Sequence, residues 1–152
     1  MASIFETDLP QVELVARGKV RDIYAAGDFL VIVATDRLSA FDYVLPTPIR
    51  DKGKVLTALT IFWLEQLRDI VPNHFVSANV SDYPPEFHAY RDQLEGRSML
   101  VHRAKMIDVE CVARGYCLLY TSQVVGIVPQ RTDNWQRHCV WNGDAVLVRG
   151  GA

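Results

Sequence analysis

Between Val12 and Val33 the apolar residues fall into short clusters separated by turn-formers, ELVARGKVRDIYAAGDFLVIVA. A first run breaks at Gly18-Lys19, a second extends from Val20 to Ala25, Ala-Gly-Asp makes a turn, and Phe29 to Ala34 is wholly apolar. Runs of this length bounded by glycine and aspartate predict strands joined by tight turns, here an antiparallel meander. The unbroken FLVIVA predicts a strand covered on both faces.

The next stretch, TDRLSAFDYVLPTPIRDKG, mixes polar residues, two prolines and a glycine with Leu38, Phe41, Tyr43 and Leu45. It is too apolar for a free linker and predicts a loop that packs down while presenting polar groups. After Gly53, the residues Leu56, Leu59, Thr60, Trp63, Leu67 and Ile70 recur every three or four positions. That period predicts an amphipathic helix over Lys54 to Ile70, stopped by Pro72. NHFVSANVSDYPPEF reads as a short strand pair and a proline turn, and EFHAYRDQLEG as a short helix closed by Gly96. SMLVHRAKMIDVECVARGY gives two strands, Met99 to Arg103 and Ile107 to Arg114, around Ala104-Lys105. The expected fold class is α+β, an antiparallel β-sheet with flanking helices, which we place on one side of it.

Composition narrows the function classes. With 152 residues, 49% apolar and 22% charged, the chain is an ordinary globular one rather than disordered or fibrous. A formal charge of −2 speaks against nucleic-acid coating and against a polybasic membrane surface. No apolar run approaches bilayer length and the N-terminus carries no basic leader, so the expected location is cytoplasmic. Cys111, Cys117 and Cys139 are an odd number without C-x-x-C spacing, and the four histidines lie far apart. Neither a disulfide framework nor a metal site is expected from these residues.

Three stretches can carry chemistry. Arg17-Gly18-Lys19-Val20-Arg21-Asp22 puts three cations around a glycine at a turn between strands, where they can hold a polyphosphate or be ordinary surface charges. It is not a Walker loop, since G-x-x-x-x-G-K-[ST] is absent. Asp36-Arg37-Leu38-Ser39-Ala40-Phe41-Asp42 follows the most apolar strand, where a sheet delivers groups to a cleft; it can equally be a capped turn. In DVECVARGY, strand alternation puts Asp108, Glu110, Val112 and Arg114 on one face, either a solvated side or the lining of a cleft. Cys111, on the opposite face, reads as a small core residue.

Taken together, ARGKVRDIY, TDRLSAFDYVLPTPIRDKGKVLTALTIFWLEQL, VPNH and SMLVHRAKMIDVECVARGY, in this order, resemble the N-terminal half of the phosphoribosylaminoimidazole-succinocarboxamide synthase (SAICAR synthetase) family, from about Val12 to Tyr116. The resemblance implies the first lobe of a two-lobe, ATP-grasp or kinase-like architecture. It implies a purine-biosynthesis ligase that joins L-aspartate to carboxyaminoimidazole ribonucleotide (CAIR), with ATP converted to ADP and phosphate and Mg²⁺ as cofactor. Small molecules are the implied partners, with neither nucleic acid nor membrane among them. By the same resemblance Lys19 and Arg21 contact ATP phosphates, and Arg103, Lys105 and Met106 line the adenine pocket. Asp36, Ser39, Asp42 and Lys54 belong to the substrate cleft, and Glu110 and Arg114 lie near CAIR. Arg114 suits its ribose phosphate because a guanidinium binds phosphate bidentately. No catalytic base is assigned. The alternative is a non-catalytic nucleotide-binding module on the same fold.

After Tyr116 the family pattern stops. Small residues with a Gly-Ser pair, then an acidic D-x-K-x-E-F-G-like segment, are expected, and CLLYTSQVVGIVPQRTDNWQRHCVWNGDAVLVRGGA has neither the Gly-Ser pair nor the acidic segment. CLLYTS matches one translated frame of a transposon end used in sequencing libraries. The codons of RHCVWNGDA, shifted by one nucleotide, permit GTVCGMVMP, which resembles the family's G-x-V-C-G-x-x-x-P segment. The expectation is therefore a family region over 1–116, a frameshifted or adaptor-derived tail over 117–152, a missing second lobe with the metal ligands, and negligible activity for the chain as written; the alternative is a natural, divergent C-terminus, a strand and turn in place of that lobe.

Overall fold

The computed structural model describes residues 3–40 and 43–104, and beyond them the backbone of four strands, Val109–Ala113, Val125–Pro129, Cys139–Trp141 and Val146–Val148. The chain forms two compact units, Met1–Ala104 and Lys105–Ala152.

The first unit is built on a five-stranded sheet. Its strands are β1 (Leu14–Arg17), β2 (Arg21–Ala26), β3 (Phe29–Ala34), β6 (Phe75–Ser77) and β7 (Ser98–His102), in the order β1-β2-β3-β7-β6. Every neighbouring pair is antiparallel. The meander is as the sequence predicts. β2 and β3 close through Gly27 and Asp28, with Ala26 opposite Phe29 and Gly27 at φ 63°. Glycine at the first central place is what a two-residue hairpin of this hand requires. Two short strands, β4 (Ser39–Ala40) and β5 (Tyr43–Val44), pair with each other in the loop that follows β3.

The pleat sorts the sheet into two faces. Tyr24, Ala26, Val31, Val33 and Leu100 point to one side, where Leu9, Val80, Tyr83, Phe87 and Leu94 complete the core. Those partners come from the N-terminal segment, two 3-10 turns (Val80–Asp82 and Pro85–Tyr90) and the short helix α2, Arg91–Leu94, after which Gly96 takes φ 72°. The opposite face carries helix α1, Lys52–Gln66. Helices thus flank both faces, not one. The region expected to hold a strand pair supplies only β6, because Asn79 caps a 3-10 turn where a second strand would start.

Helix α1 begins two residues earlier and ends four residues sooner than the periodicity predicts. Leu67 already departs from helical geometry, and Asn73 donates its side-chain amide to the carbonyl of Leu64 at 3.0 Å, so the chain is capped before Pro72. Its orientation also differs. Gly53 and Thr57 are the buried positions, while Leu56, Leu59, Trp63, Leu67 and Ile70 are exposed. The small residues face the sheet because the helix starts hard against the end of β3, where a side chain on Gly53 would overlap the carbonyl of Ala34.

The second unit contains β8 (Val109–Ala113) paired antiparallel with β9 (Val125–Pro129), and β10 (Cys139–Trp141) paired antiparallel with β11 (Val146–Val148). Among the described residues no helix is long and apolar enough to cross a membrane.

Candidate functional site

The β1–β2 turn holds the densest cationic cluster predicted from sequence. The Gly18 amide donates to the carbonyl of Arg21 at 2.8 Å and closes the turn, and Lys19 and Arg21 are exposed on it. What fixes this turn is Arg37, which leaves the end of β3 and is only 2% exposed. Its Nε donates to Lys19 O at 3.0 Å, and its Nη2 donates to Gly18 O at 2.9 Å and Arg21 O at 3.3 Å. Nη1 reaches Phe5 O at 2.8 Å, tying the N-terminal segment to the same fork. The charge is met by Asp22, whose Oδ1 lies 2.7 Å from Nη2. The remaining carbonyl of the turn, Val20 O, accepts both the amide of Thr35 at 3.1 Å and its hydroxyl at 3.0 Å.

Asp22 is fully buried beneath the turn. Burial pushes its carboxyl pKa up, but the hydrogen bonds from Arg37 and from the amide and hydroxyl of Thr7 outweigh this and hold it below the ordinary value. Arg17 adds a contact at 3.3 Å from the rim, where it also meets Glu6 at 3.0 Å.

Asp36 is buried as completely as Asp22. Its Oδ1 accepts from the Gly53 amide at 3.0 Å and from Arg97 Nη1 at 2.9 Å, and its Oδ2 from the Ile4 amide at 2.8 Å. Burial again raises its pKa and is outweighed by the two amides and the guanidinium, so it too is held low. Both oxygens are used inside the protein. Asp36 thus joins the N-terminal segment, the start of α1 and Arg97.

The other expected site residues divide by position. Ser39 is half-buried in β4, opposite Val44. Lys54 is half-buried in the first turn of α1, with Nζ 3.8 Å from Asp51. Arg103 is exposed just past β7. Glu110 lies in β8, opposite Val128, in the second unit. Asp42, Lys105, Met106 and Arg114 lie outside the described residues. Val20 from the turn, Arg21, Ile32, Ala34 and Met99 from the sheet and Leu56, Thr57 and Thr60 from α1 line a cavity of ≈ 40 Å³, large enough for a few waters and too small for a purine ring. Among the described residues no three metal-ligating side chains converge.

The family model described as SAICAR synthetase matches residues 14–134. The chain belongs to the SAICAR synthetase family. Among curated relatives, the phosphoribosylaminoimidazole-succinocarboxamide synthase of Maridesulfovibrio salexigens is 53% identical over 114 residues, covering 74% of this chain and 38% of the relative. That of Thermodesulfovibrio yellowstonii is 58% identical over 113 residues, covering 74% and 39%. Two solved structures are alike in fold, each with TM-score 0.69 and 43% identity. One, titled SAICAR synthase, is matched over 76% of this chain and 42% of that one; the other, the Saccharomyces cerevisiae SAICAR synthase in complex with SAICAR, over 75% and 41%. The chain thus spans about two-fifths of the length of the relatives it matches.

Within this SAICAR synthetase region, sequence reasoning placed the cations of the turn but not what holds them. Arg37 was visible in the DRLSAFD stretch as one more polar group, and its targets, backbone carbonyls on a hairpin sixteen to nineteen residues earlier, leave no trace in side-chain identity. Asp22 had a weak signal. It shares strand parity with Tyr24 and Ala26, both buried, so a carboxylate there had to be internal and paired.

Proposed function

We propose that this chain supplies the nucleotide-phosphate and part of the substrate-binding surface of an ATP-dependent ligase that joins L-aspartate to CAIR. The observation that carries the reading is the β1–β2 turn, where Lys19 and Arg21 are exposed while the turn's carbonyls bond inward. A triphosphate needs concentrated positive charge with no carbonyl oxygen facing it, and guanidinium and ammonium groups supply that charge in complementary ways. Family membership supports the reaction class: the CAIR carboxylate takes the γ-phosphoryl group from ATP, and the aspartate amine then displaces phosphate to form the amide.

In this reading Lys19 and Arg21 hold ATP phosphates, and the chain from Arg103 through Lys105 and Met106 borders the adenine. Ser39, Asp42 and Lys54 face the substrates, with Asp36 fixing the helix that carries Lys54. Glu110 and Arg114 serve CAIR, Arg114 through its ribose phosphate. Mg²⁺ neutralises phosphate charge when bound. The described residues offer it no carboxylate cluster, so no step is assigned to them through the metal.

The test is titration of the 152-residue chain with Mg²⁺-ATP, followed by amide shifts in heteronuclear NMR, for the native protein and for Lys19→Gln and Arg21→Gln. Saturable shifts centred on residues 17–21, weakened at least fivefold by either substitution, are expected. Shifts that ignore both substitutions would sink the reading. Binding without turnover of CAIR and aspartate in the full-length protein carrying this region would instead make it a nucleotide-binding module.

A further inference from the structure

Four consecutive carbonyls, those of Gly18, Lys19, Val20 and Arg21, are each engaged by an inward donor. Arg37 takes three of them and Thr35 takes the fourth with its amide and hydroxyl. A tight turn of this length ordinarily leaves some carbonyls facing solvent, where their partial negative charge repels an approaching anion. Here the guanidinium draws them toward the sheet. Asp22 and Arg37 compensate each other, so the pair brings no net charge to the turn. Its effect is one of direction.

We propose that Arg37, seated on Asp22 and assisted by Thr35, is the positioning residue of the phosphate-binding hairpin. It sets the polarity of the turn by holding its carbonyls inward, so that the exposed Lys19 and Arg21 side chains, and not carbonyl oxygens, face an arriving nucleotide. This rests on the reading that the hairpin binds nucleotide phosphates. Pre-organisation of this kind raises affinity by avoiding the cost of ordering a loop during binding. It also accounts for the placement of an arginine rather than a lysine, because only a planar fork with several N–H groups reaches carbonyls at 18, 19 and 21 together.

The charge-neutral pair Arg37→Gln with Asp22→Asn tests this directly, since it removes the fork without altering net charge. Thr35→Val is a milder second variant that leaves the backbone amide in place, and Phe87→Leu, in the hydrophobic core, controls for lost stability. Each is titrated with Mg²⁺-ATP and with inorganic tripolyphosphate, and hydrogen exchange is followed at the Gly18 amide, which bonds to Arg21 O.

The expected result is at least fivefold weaker binding of both ligands by the double variant and roughly twofold weaker binding by Thr35→Val, with Gly18 exchange accelerated at least tenfold in the former. Phe87→Leu keeps native affinity although it melts earlier. If Lys19→Gln abolishes binding while the double variant keeps affinity within twofold, the positioning role is wrong and the phosphate reading stands. If the native chain binds neither ligand, both fall together. Should the double variant not fold, unchanged affinity and Gly18 exchange in Thr35→Val overturns the proposal.

Discussion

Asp36 and Arg97 meet at 2.9 Å across 61 residues of sequence, with exposures of 0% and 2%. One carboxylate thereby joins the start of β7 to the N-terminal segment at Ile4 and the first turn of α1 at Gly53. Removing one partner leaves an uncompensated buried charge, which typically costs about 3–5 kcal/mol. That is comparable with the whole stability of a small domain, about 5–15 kcal/mol. Asp36→Asn is therefore expected to leave the first unit largely unfolded at 37 °C by circular dichroism. Asp36→Leu combined with Arg97→Met, which removes both charges, is expected to recover more than half of the loss. A denaturation midpoint for Asp36→Asn equal to that of the native chain would show that the pair does not hold these elements.

Acid should unfold this protein through the same groups. Asp22 and Asp36 both have folded pKa values below the ordinary 3.8; burial opposes this, and the hydrogen bonds from Arg37, Thr7, Gly53, Ile4 and Arg97 overcome it. A carboxyl depressed in the folded state contributes stability that is fully present above its unfolded value and is lost as pH falls through its folded value. The melting temperature is expected to vary little from pH 7 down to about 4.5 and to fall steeply below pH 4. In the Asp22→Asn, Arg37→Gln pair that acid slope becomes shallower. An unchanged slope would mean that other carboxylates govern acid unfolding.

Gly53→Ala should reverse the usual helix rule. In an exposed helix interior, alanine stabilises relative to glycine by roughly 1 kcal/mol. At Gly53 the new methyl group would overlap the carbonyl of Ala34 and crowd Arg97, so the start of α1 must lift from the sheet. Overpacking of this sort costs about 1–3 kcal/mol, and here the shift also strains the Asp36 bond to the Gly53 amide. The expected outcome is a lower denaturation midpoint, by about 2 kcal/mol when converted with the measured slope. A raised midpoint would show that the helix start has slack.

The strands of the β1–β3 meander were legible because each depends on neighbours in sequence. Phe29 to Ala34 announces itself by composition, and Gly27 marks the only tight turn that its register allows. The Asp36–Arg97 and Asp22–Arg37 links were not legible, because each joins segments whose proximity exists only after the sheet has formed. Lys19 and Arg21 fell between the two cases. Their charge could be read, whereas the inward aim of the surrounding carbonyls could not, since backbone direction is set by Arg37 from another loop.

The α1 periodicity failed for a related reason, and the failure carries its own prediction. A stripe at three- and four-residue spacing states that one helix face is apolar, without saying what covers it. In this chain Gly53 and Thr57 turn to the sheet, while Leu59, Phe62 and Trp63 are at least half exposed, the last two packed edge-on at 5.3 Å. Apolar residues exposed in a contiguous group bind hydrophobic dyes and promote association. Replacing all three, Leu59→Lys with Phe62→Ser and Trp63→Gln, should leave the melting temperature of the first unit nearly unchanged, because little buried area is lost. Dye fluorescence and light scattering should both fall severalfold. A large drop in melting temperature instead would place those side chains in the folded core and restore the face that the periodicity predicts.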